Sequence, residues 1–507
     1  MCGIAGILGR RDPAAVVRML EQQRHRGPDG RQVWEAASGF TLGHDRLAIV
    51  DLAGGAQPLA NEDASLWLAM NGEIYNHAEL RRELEGRHTF KTRSDSEVVL
   101  HLFEEYGPDA IRRLDGMFAI AIWGPQTGLF LARDPLGIKP LYYGHNSQGQ
   151  LLFASEAKAL VQEVQVVSEF PNGHYWQVER QDPIPYDAIP QPASEISAAH
   201  EAADLLDRTL TRAVTKRLMA DVPVGCFLSG GLDSSLIAAM MRRYVTGELH
   251  TFSVGLAGSE DLINARRVAA ELGTIHHERA LTEGEVLTVL PRVIDALESC
   301  DPALVRSAIP TYLVSEMAAR HVKVVLSGEG ADELFAGYHY LAEFEPDGDA
   351  LAAELHQITA DLHNANLQRV DRMTMAHGLE GRVPFLDRAM LDLAFRMDPR
   401  LLRQEGEAKW ILRKVAERYL PPEIVWRRKE KFAIGTGIGP LLERYAARAI
   451  SPEQMATART LHGEPFRAKE ELLYWSLFQE RYGREDLLAC MGRSRSLNPG
   501  QRWVSAL

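Results

Sequence analysis

The eight residues LSGGLDSS, Leu228 to Ser235, restrict the fold of this 507-residue chain more than any other stretch. An apolar run, VPVGCFL, leads into them and a helical run, SLIAAMMRRY, leads out. A strand that turns through two glycines directly into a helix predicts one unit of a parallel α/β sheet. Gly230 and Gly231 allow a tight turn whose successive N–H groups face inward. The helix start adds partial positive charge, and Ser229, Ser234 and Ser235 add hydroxyl donors. The result is a cradle for phosphate. No Gly-Lys-Ser/Thr follows, so it is not a Walker loop. Asp233 stands inside the cradle, where phosphate repels a carboxylate unless a cation lies between them. That marks Asp233 as a Mg2+ ligand.

A second loop, LSGEGADELFAGYHY, follows the apolar run VKVVL. Ser327 and Gly328 repeat the turn chemistry, and Glu329, Asp332 and Glu333 place three carboxylates at its mouth. They suit either Mg2+ ligation or the handling of a substrate amine and attacking ammonia. The first loop resembles the pyrophosphatase-type loop of enzymes that cleave ATP between its α and β phosphates and transfer AMP to a substrate oxygen. By itself it does not choose among thiolation, argininosuccinate formation, NAD synthesis and amide synthesis.

The flanking sequence has two grammars. Residues 2–185 read as short strands broken by turns, among them CGIAGILG, FTLGHDRLAIVD, LWLAMNGEIYN, GMFAIAIW and GLFLARD, with three helical patterns between them. That predicts an α+β domain of sheets packed on sheets with helices outside. The proline-rich residues 186–200 read as a linker. Residues 201–490 alternate long helices with the apolar strands VPVGCFLS, HTFSVGL and VKVVLSG, and are mainly helical from about 390 onward. Residues 491–507 read as a loose tail.

The formal net charge of −13 argues against nucleic-acid or anionic-membrane partners, because neutralising phosphate needs a basic surface. Four cysteines without metal-ligand spacing or a disulfide framework fit a reducing cytoplasm. Neither a signal peptide nor a membrane-spanning apolar run is expected. The adjacent His276 and His277 point to opposite faces of any strand that carries them, and read as pocket-wall or surface residues rather than a metal pair.

Cys2 follows Met1 directly. With the methionine removed, its thiol and a free α-amino group form a self-contained nucleophile–base pair, since the amine titrates at ~7.7–8.0 and accepts the thiol proton near neutrality. The segments RHRGPDG, HDRLAIVD, MNGEIYN and RSDSEVV lie in or beside turns, where polar groups can converge on one pocket. Asn71 and Gly72 can donate to an oxyanion, Arg46 can pair with a substrate α-carboxylate and Asp95 with its α-ammonium. Such a pocket suits a free amino acid with a side-chain amide, and glutamine fits.

With these motifs the chain resembles the glutamine-dependent asparagine synthetases along nearly its whole length. The resemblance implies a four-layer αββα domain of Ntn-hydrolase type, a class II amidotransferase, followed by an ATP-pyrophosphatase domain (adenine nucleotide alpha hydrolase-like) with a helical C-terminal region. It implies that Cys2 is the glutaminase nucleophile and that Asn71 and Gly72 form the oxyanion hole. Glutamine binding falls on Arg46, Leu47, Ala48, Ile49, Val50, Asn71, Gly72, Glu73 and Asp95. ATP binding adds Leu228, Val254, Ser327 and Gly328 to Ser229, Gly230, Gly231, Asp233, Ser234 and Ser235. Asp233 and Asp332 match the Mg2+–pyrophosphate carboxylates, and Glu329 the residue tied to the β-aspartyl-AMP intermediate. The acceptor pocket is lined by Glu329, Asp332, Tyr338, Arg369 and Lys429. The implied substrates are glutamine, aspartate and ATP with Mg2+, and the implied assembly is a homodimer.

Adenylation turns a carboxylate oxygen into a leaving group, and ammonia released inside the protein escapes protonation. An apolar tunnel between two active sites is therefore expected. Two other readings compete: an amidotransferase acting on a different acid, such as a peptide or a cell-wall precursor, and a non-catalytic sensor of glutamine and nucleotide. Cys2, Asp233, Glu329 and Asp332 together disfavour the sensor.

Overall fold

The structure is a computed structural model that describes residues 2–345, 349–427, 435–458 and 465–493. Its first part holds two antiparallel sheets of six strands each. Six strands form the first sheet: β1 (Cys2–Leu8), β2 (Gly30–Ala36), β3 (Phe40–Arg46), β8 (Tyr142–His145), β9 (Leu151–Ala154) and β10 (Ser168–Glu169), in the order β10-β8-β9-β1-β3-β2. The second runs β12-β11-β7-β6-β5-β4, from β4 (Leu59–Ala60), β5 (Trp67–Ile74), β6 (Gly116–Gly124), β7 (Gly128–Arg133), β11 (His174–Gln177) and β12 (Ile184–Pro185).

Alternation along each strand sets the layers. In β6, Ala119 and Ala121 face the first sheet, together with Ile4 of β1 and Phe40 and Leu42 of β3. Phe118, Ile120 and Ile122 face the other way, onto the helices His77–Leu84 and Ser96–Tyr106. Ala5 and Ile7 of β1 turn from the sheet interface to meet Val16, Met19 and Leu20 of the helix Pro13–Gln22. The outcome is the expected αββα sandwich. Each fully buried Phe or Ile contributes about 1.5–3 kcal/mol through burial.

The second part is built on a parallel sheet of β13 (Val224–Phe227), β14 (His250–Leu256), β15 (Ile275–Leu281), β16 (Val324–Leu326) and β17 (Glu380–Arg382), ordered β15-β14-β13-β16-β17. The chain moves outward from β13 through β14 to β15, then returns to the other flank of β13 with β16. Connections therefore diverge above β13 and β16, and a crevice opens at their carboxyl ends. LSGGLDSS leaves β13 and LSGEGADEL leaves β16 at that crevice.

The two parts share cores. Leu47, Ile49, Tyr75, Met117, Leu136 and Ile138 pack in one apolar cluster with Leu228, Leu236, Leu326 and Val383. Residues 187–197 carry no helix and run beside the helix Arg388–Arg396, where Ala193 N donates to Phe395 O and Ile196 N to Arg396 O. Among the described residues no helix is long and apolar enough to cross a membrane.

Candidate active sites

Cys2 opens β1 with Arg46 of β3 opposite it, and only 7% of its surface is exposed. Its backbone N donates to Asn71 Oδ1 at 3.1 Å, and its carbonyl accepts from Arg26 Nε at 3.1 Å. Burial pushes the Cys2 thiol up, against the pull of the Leu47 backbone N–H and Arg46. Asn71 is fully buried in β5, and its Nδ2 has no hydrogen-bond partner among the described residues. A Cβ on Gly72 would lie 2.1 Å from Met117 O, so the strand at this point admits no side chain.

The guanidinium of Arg46 folds back onto the loop that follows it, donating to Val50 O at 3.2 Å, Asp51 O at 2.6 Å and Leu52 O at 3.0 Å. Those bonds shape the turn that carries Leu47, Ala48, Ile49 and Val50. Asp29 Oδ2 accepts from Ala48 N at 2.8 Å and from Lys323 Nζ at 2.7 Å, and Asp221 N donates to Ile49 O at 2.9 Å. The glutamine-binding candidates thus lie on a loop pinned by the other half. Asp95 Oδ2 accepts from Ile74 N at 2.8 Å. Burial first, then the charges of Glu380 and Asp95, push the Glu73 carboxyl well above the ordinary carboxylate range. Arg382, on the edge strand β17, lies 3.6 Å from Glu73 and donates to Glu380 at 2.5 Å.

At the crevice, Gly230 adopts φ +71°, the left-handed region that glycine tolerates. Ser234 Oγ lies 3.1 Å from Ser229 Oγ and accepts from Ser229 N at 3.2 Å, which closes the turn. Ser235 Oγ and Asp233 Oδ1 are buried with no hydrogen-bond partner among the described residues. The two loops touch, since a Cβ on Gly328 would lie 2.9 Å from Asp233 Cβ. Ser327 N donates to Arg382 O at 2.9 Å, and Leu228 N to Phe252 O at 2.9 Å. Val254 is buried one strand away, on β14.

Lys409 bridges Asp233 Oδ2 and Asp332 Oδ1, with 2.5 Å to each. Although burial works against its charge, the two carboxylates raise its pKa. Glu329 pairs with Arg369, and burial raises its carboxyl despite that partner. Glu333 is pushed up to about 7, first by burial and then by Asp332. Tyr338 Oη donates to Glu333, and Asn366 Nδ2 donates to Glu333 at 2.9 Å and to Tyr338 Oη at 3.0 Å. Beside the loops a recess of about 440 Å3 is lined by Leu256 to Glu260 with Gly435 and Gly437. Lys429 lies outside the described residues.

His276 reaches Thr251 and Ser253 while His277 stacks on Phe252, so the two rings do occupy opposite faces. Lys409, Asn366, Arg382 and Glu380 belong to these sites without having been singled out in the sequence. No local pattern marks them. Lys409 lies 176 positions from Asp233, and only the sheet order brings β17 behind Glu73.

A family model described as a glutamine amidotransferase domain matches residues 1–187, and one described as asparagine synthase matches residues 205–347 and 342–485. The chain is similar to asparagine synthetase B [glutamine-hydrolyzing] of Escherichia coli K12, with 38% identity over 525 residues covering 97% of this chain and 93% of that protein. It is 36% identical over 546 residues to a probable asparagine synthetase [glutamine-hydrolyzing] of Dictyostelium discoideum, covering 99% and 96%. A counterpart in Schizosaccharomyces pombe is 39% identical over 530 residues, covering 96% and 94%. The two family models together span most of the chain and these relatives match it over nearly its whole length, so the chain belongs to the glutamine-hydrolysing asparagine synthetases.

Proposed function

We propose that Cys2 releases ammonia from glutamine and that the crevice above β13 and β16 joins it to aspartate, activated as β-aspartyl-AMP, giving asparagine, AMP and pyrophosphate. The observation that carries the first half is Asn71. Its Oδ1 holds the Cys2 nitrogen while its Nδ2 stays buried and unpartnered among the described residues. In the mature protein that nitrogen is the α-amine, oriented to take the thiol proton. The thiolate attacks the glutamine amide carbonyl, and the carbonyl oxygen becomes an oxyanion facing Asn71 Nδ2 and the Gly72 N–H. Collapse expels ammonia and leaves a thioester, which water then cleaves to glutamate.

In the second half, Ser229, Ser234, Ser235 and Ser327 hold phosphate oxygens and Lys409 neutralises their charge. The aspartate side-chain carboxylate displaces pyrophosphate from the α-phosphorus, with Arg369 and Glu329 orienting the acceptor and Tyr338 closing the pocket. Asp233 and Asp332 suit Mg2+, because Asp233 Oδ1 is buried with no hydrogen bond among the described residues. When bound, the ion offsets the charge of the departing pyrophosphate. Ammonia then attacks the mixed anhydride and AMP leaves. The apolar cluster joining Leu47, Ile49 and Met117 to Leu228 and Val383 supports an internal, water-poor route for it. The same reading carries a cytoplasmic setting and a homodimeric assembly with it.

Replacing Cys2 by alanine tests the division of labour. Glutamine-dependent asparagine formation should vanish while formation from ammonium persists. Loss of both activities would place the thiol in the adenylation site or the scaffold instead.

A further inference from the structure

Away from both sites, on the helical outer layer of the first half, two histidines and two glutamates converge. Glu62 follows β4, His88 follows the helix His77–Leu84, and His101 and Glu104 stand one turn apart on the helix Ser96–Tyr106. Both imidazoles aim the same atom inward. His88 Nδ1 lies 3.2 Å from Glu62 Oε1 and 3.6 Å from Glu104 Oε2. His101 Nδ1 lies 2.8 Å from Glu104 Oε2 and 3.4 Å from Glu62 Oε2. One ligand atom from each of the four residues falls within 4.8 Å of every other.

The separations of 3.2, 3.4 and 3.6 Å are close to those of a coordination shell, and the 2.8 Å contact is a hydrogen bond that a bound ion would replace. With metal–ligand bonds of about 2.0–2.2 Å, tetrahedral geometry puts neighbouring ligand atoms about 3.3–3.6 Å apart. One outward nitrogen is also held, since His88 Nε2 lies 3.0 Å from Glu105 Oε1, while His101 Nε2 has Glu97 Oε1 3.6 Å away, outside hydrogen-bond reach. The carboxylate bonded behind His88 fixes that ring's orientation and raises the basicity of its inward nitrogen. The glutamates are steadied too, since Glu62 Oε1 accepts from Thr89 N at 2.9 Å and Glu104 Oε1 from Asn61 Nδ2 at 2.7 Å. The His101 side chain is only 1% exposed and that of His88 10%, whereas Glu62 and Glu104 keep 34% and 21%. The set is therefore preformed at its base and open to a hydrated ion at its rim.

We propose that Glu62, His88, His101 and Glu104 bind one divalent transition-metal ion of borderline softness, with Zn2+ as the type. Two imidazoles select against Mg2+ and Ca2+, which prefer oxygen ligands, and two carboxylates balance the charge of the ion. Bound there, the ion staples the loop after β4 to the helix whose N-terminal neighbour is Asp95. Its role is structural support of the glutamine pocket rather than chemistry.

The test uses the full-length protein, freed of metal by dialysis against a chelator. Zn2+ is titrated in competition with a chromophoric chelator, and Co2+ serves as a visible probe of coordination. Cys2→Ala and His277→Ala forms remove two other places where Zn2+ could bind, the terminal thiol and the trio His250, His277 and His321. We expect one equivalent of Zn2+, and Co2+ bands of four-coordinate intensity, to survive both of those changes. Binding should be lost in Glu104→Gln and in His88→Asn, and weakened about 10–100-fold in Glu105→Gln. Ammonium-dependent synthesis, unchanged in these variants, checks that they fold. No competitive equivalent in the unmodified chain would overturn the proposal. So would an equivalent indifferent to Glu104→Gln and His88→Asn, or one that disappears with His277→Ala.

Discussion

The Asn71 side chain carries a prediction sharp enough to sink the glutaminase mechanism. Its amide is fully buried, and one half is spoken for: Oδ1 accepts from Cys2 N at 3.1 Å. The other half, Nδ2, has no hydrogen-bond partner among the described residues, so none of their bonds must break before it meets a developing oxyanion. A preorganised donor of this kind is worth about 2.7–4 kcal/mol at the transition state, or a factor of about 100–1,000 in kcat. In the ground state it meets only a neutral amide oxygen, so most of its energy appears in kcat and little in KM. Asn71→Ala should therefore lower glutaminase kcat by about 100–1,000-fold, measured as glutamate release, with KM for glutamine nearly unchanged. Folding should suffer little, because the deletion removes one hydrogen bond, about 1 kcal/mol, and also removes an unsatisfied N–H. Asparagine formation from ammonium should proceed at the unmodified rate. A fall in kcat of less than about tenfold, or a loss confined to KM, would refute the assignment of Nδ2 as an oxyanion donor.

Two further outcomes follow from groups that neither loop motif contains. Lys409→Met removes the cation between Asp233 and Asp332 and should cut ATP–pyrophosphate exchange by at least about 100-fold while leaving glutaminase activity intact, which an exchange assay with labelled pyrophosphate reads directly. His44 on β3 is buried, and burial lowers its pKa to about 3, so the folded protein keeps it neutral where the unfolded chain, titrating near 6.5, takes up a proton. Its contribution is therefore complete above pH 6.5 and is lost as pH falls toward 3, amounting to about 2 kcal/mol of lost stability at pH 5. Urea midpoints of the unmodified chain and His44→Gln should diverge between pH 7 and 5, with the variant falling less; parallel curves would remove His44 from the account.

How far the sequence reaches can be judged residue by residue. Short apolar runs bounded by Gly, Asn and Asp marked β1, β5, β6 and β7, because each strand is buried on both faces, between the partner sheet and a helix. GRQVWEA, which became β2, carries a weaker pattern, since one of its neighbours is solvent at the sheet edge. The run FTLGHDRLAIVD reads as one strand but ends at Arg46, where the guanidinium pulls the carbonyls of Val50, Asp51 and Leu52 into a turn. That change of direction is written in a side-chain contact rather than in hydrophobicity. The phosphate cradles were legible because glycine and serine at fixed offsets have a local cause. Lys409, Asn366 and the pair Glu380 and Arg382 were not, because each acts on groups far away in the chain.

The helix Asn366–Met375 shows what such distant contacts achieve. Arg369 on it pairs with Glu329 at the acceptor crevice, and Asn366 holds Glu333 and Tyr338 there. Two residues beyond Arg369, Asp371 accepts from Arg26 at 2.8 and 3.1 Å, and Arg26 in turn donates to the carbonyl of Cys2. Arg26 and Asp371 are almost wholly buried, so neither can leave without stranding a charge at a cost of several kcal/mol. That ten-residue helix is about 15 Å long and stiff along its axis, so it fixes the spacing between Arg369 and Asp371. The backbone of Cys2, the proposed nucleophile, is the next group in line. One rigid element thus joins the two proposed sites, and the buried charge pair that anchors it is costly to break.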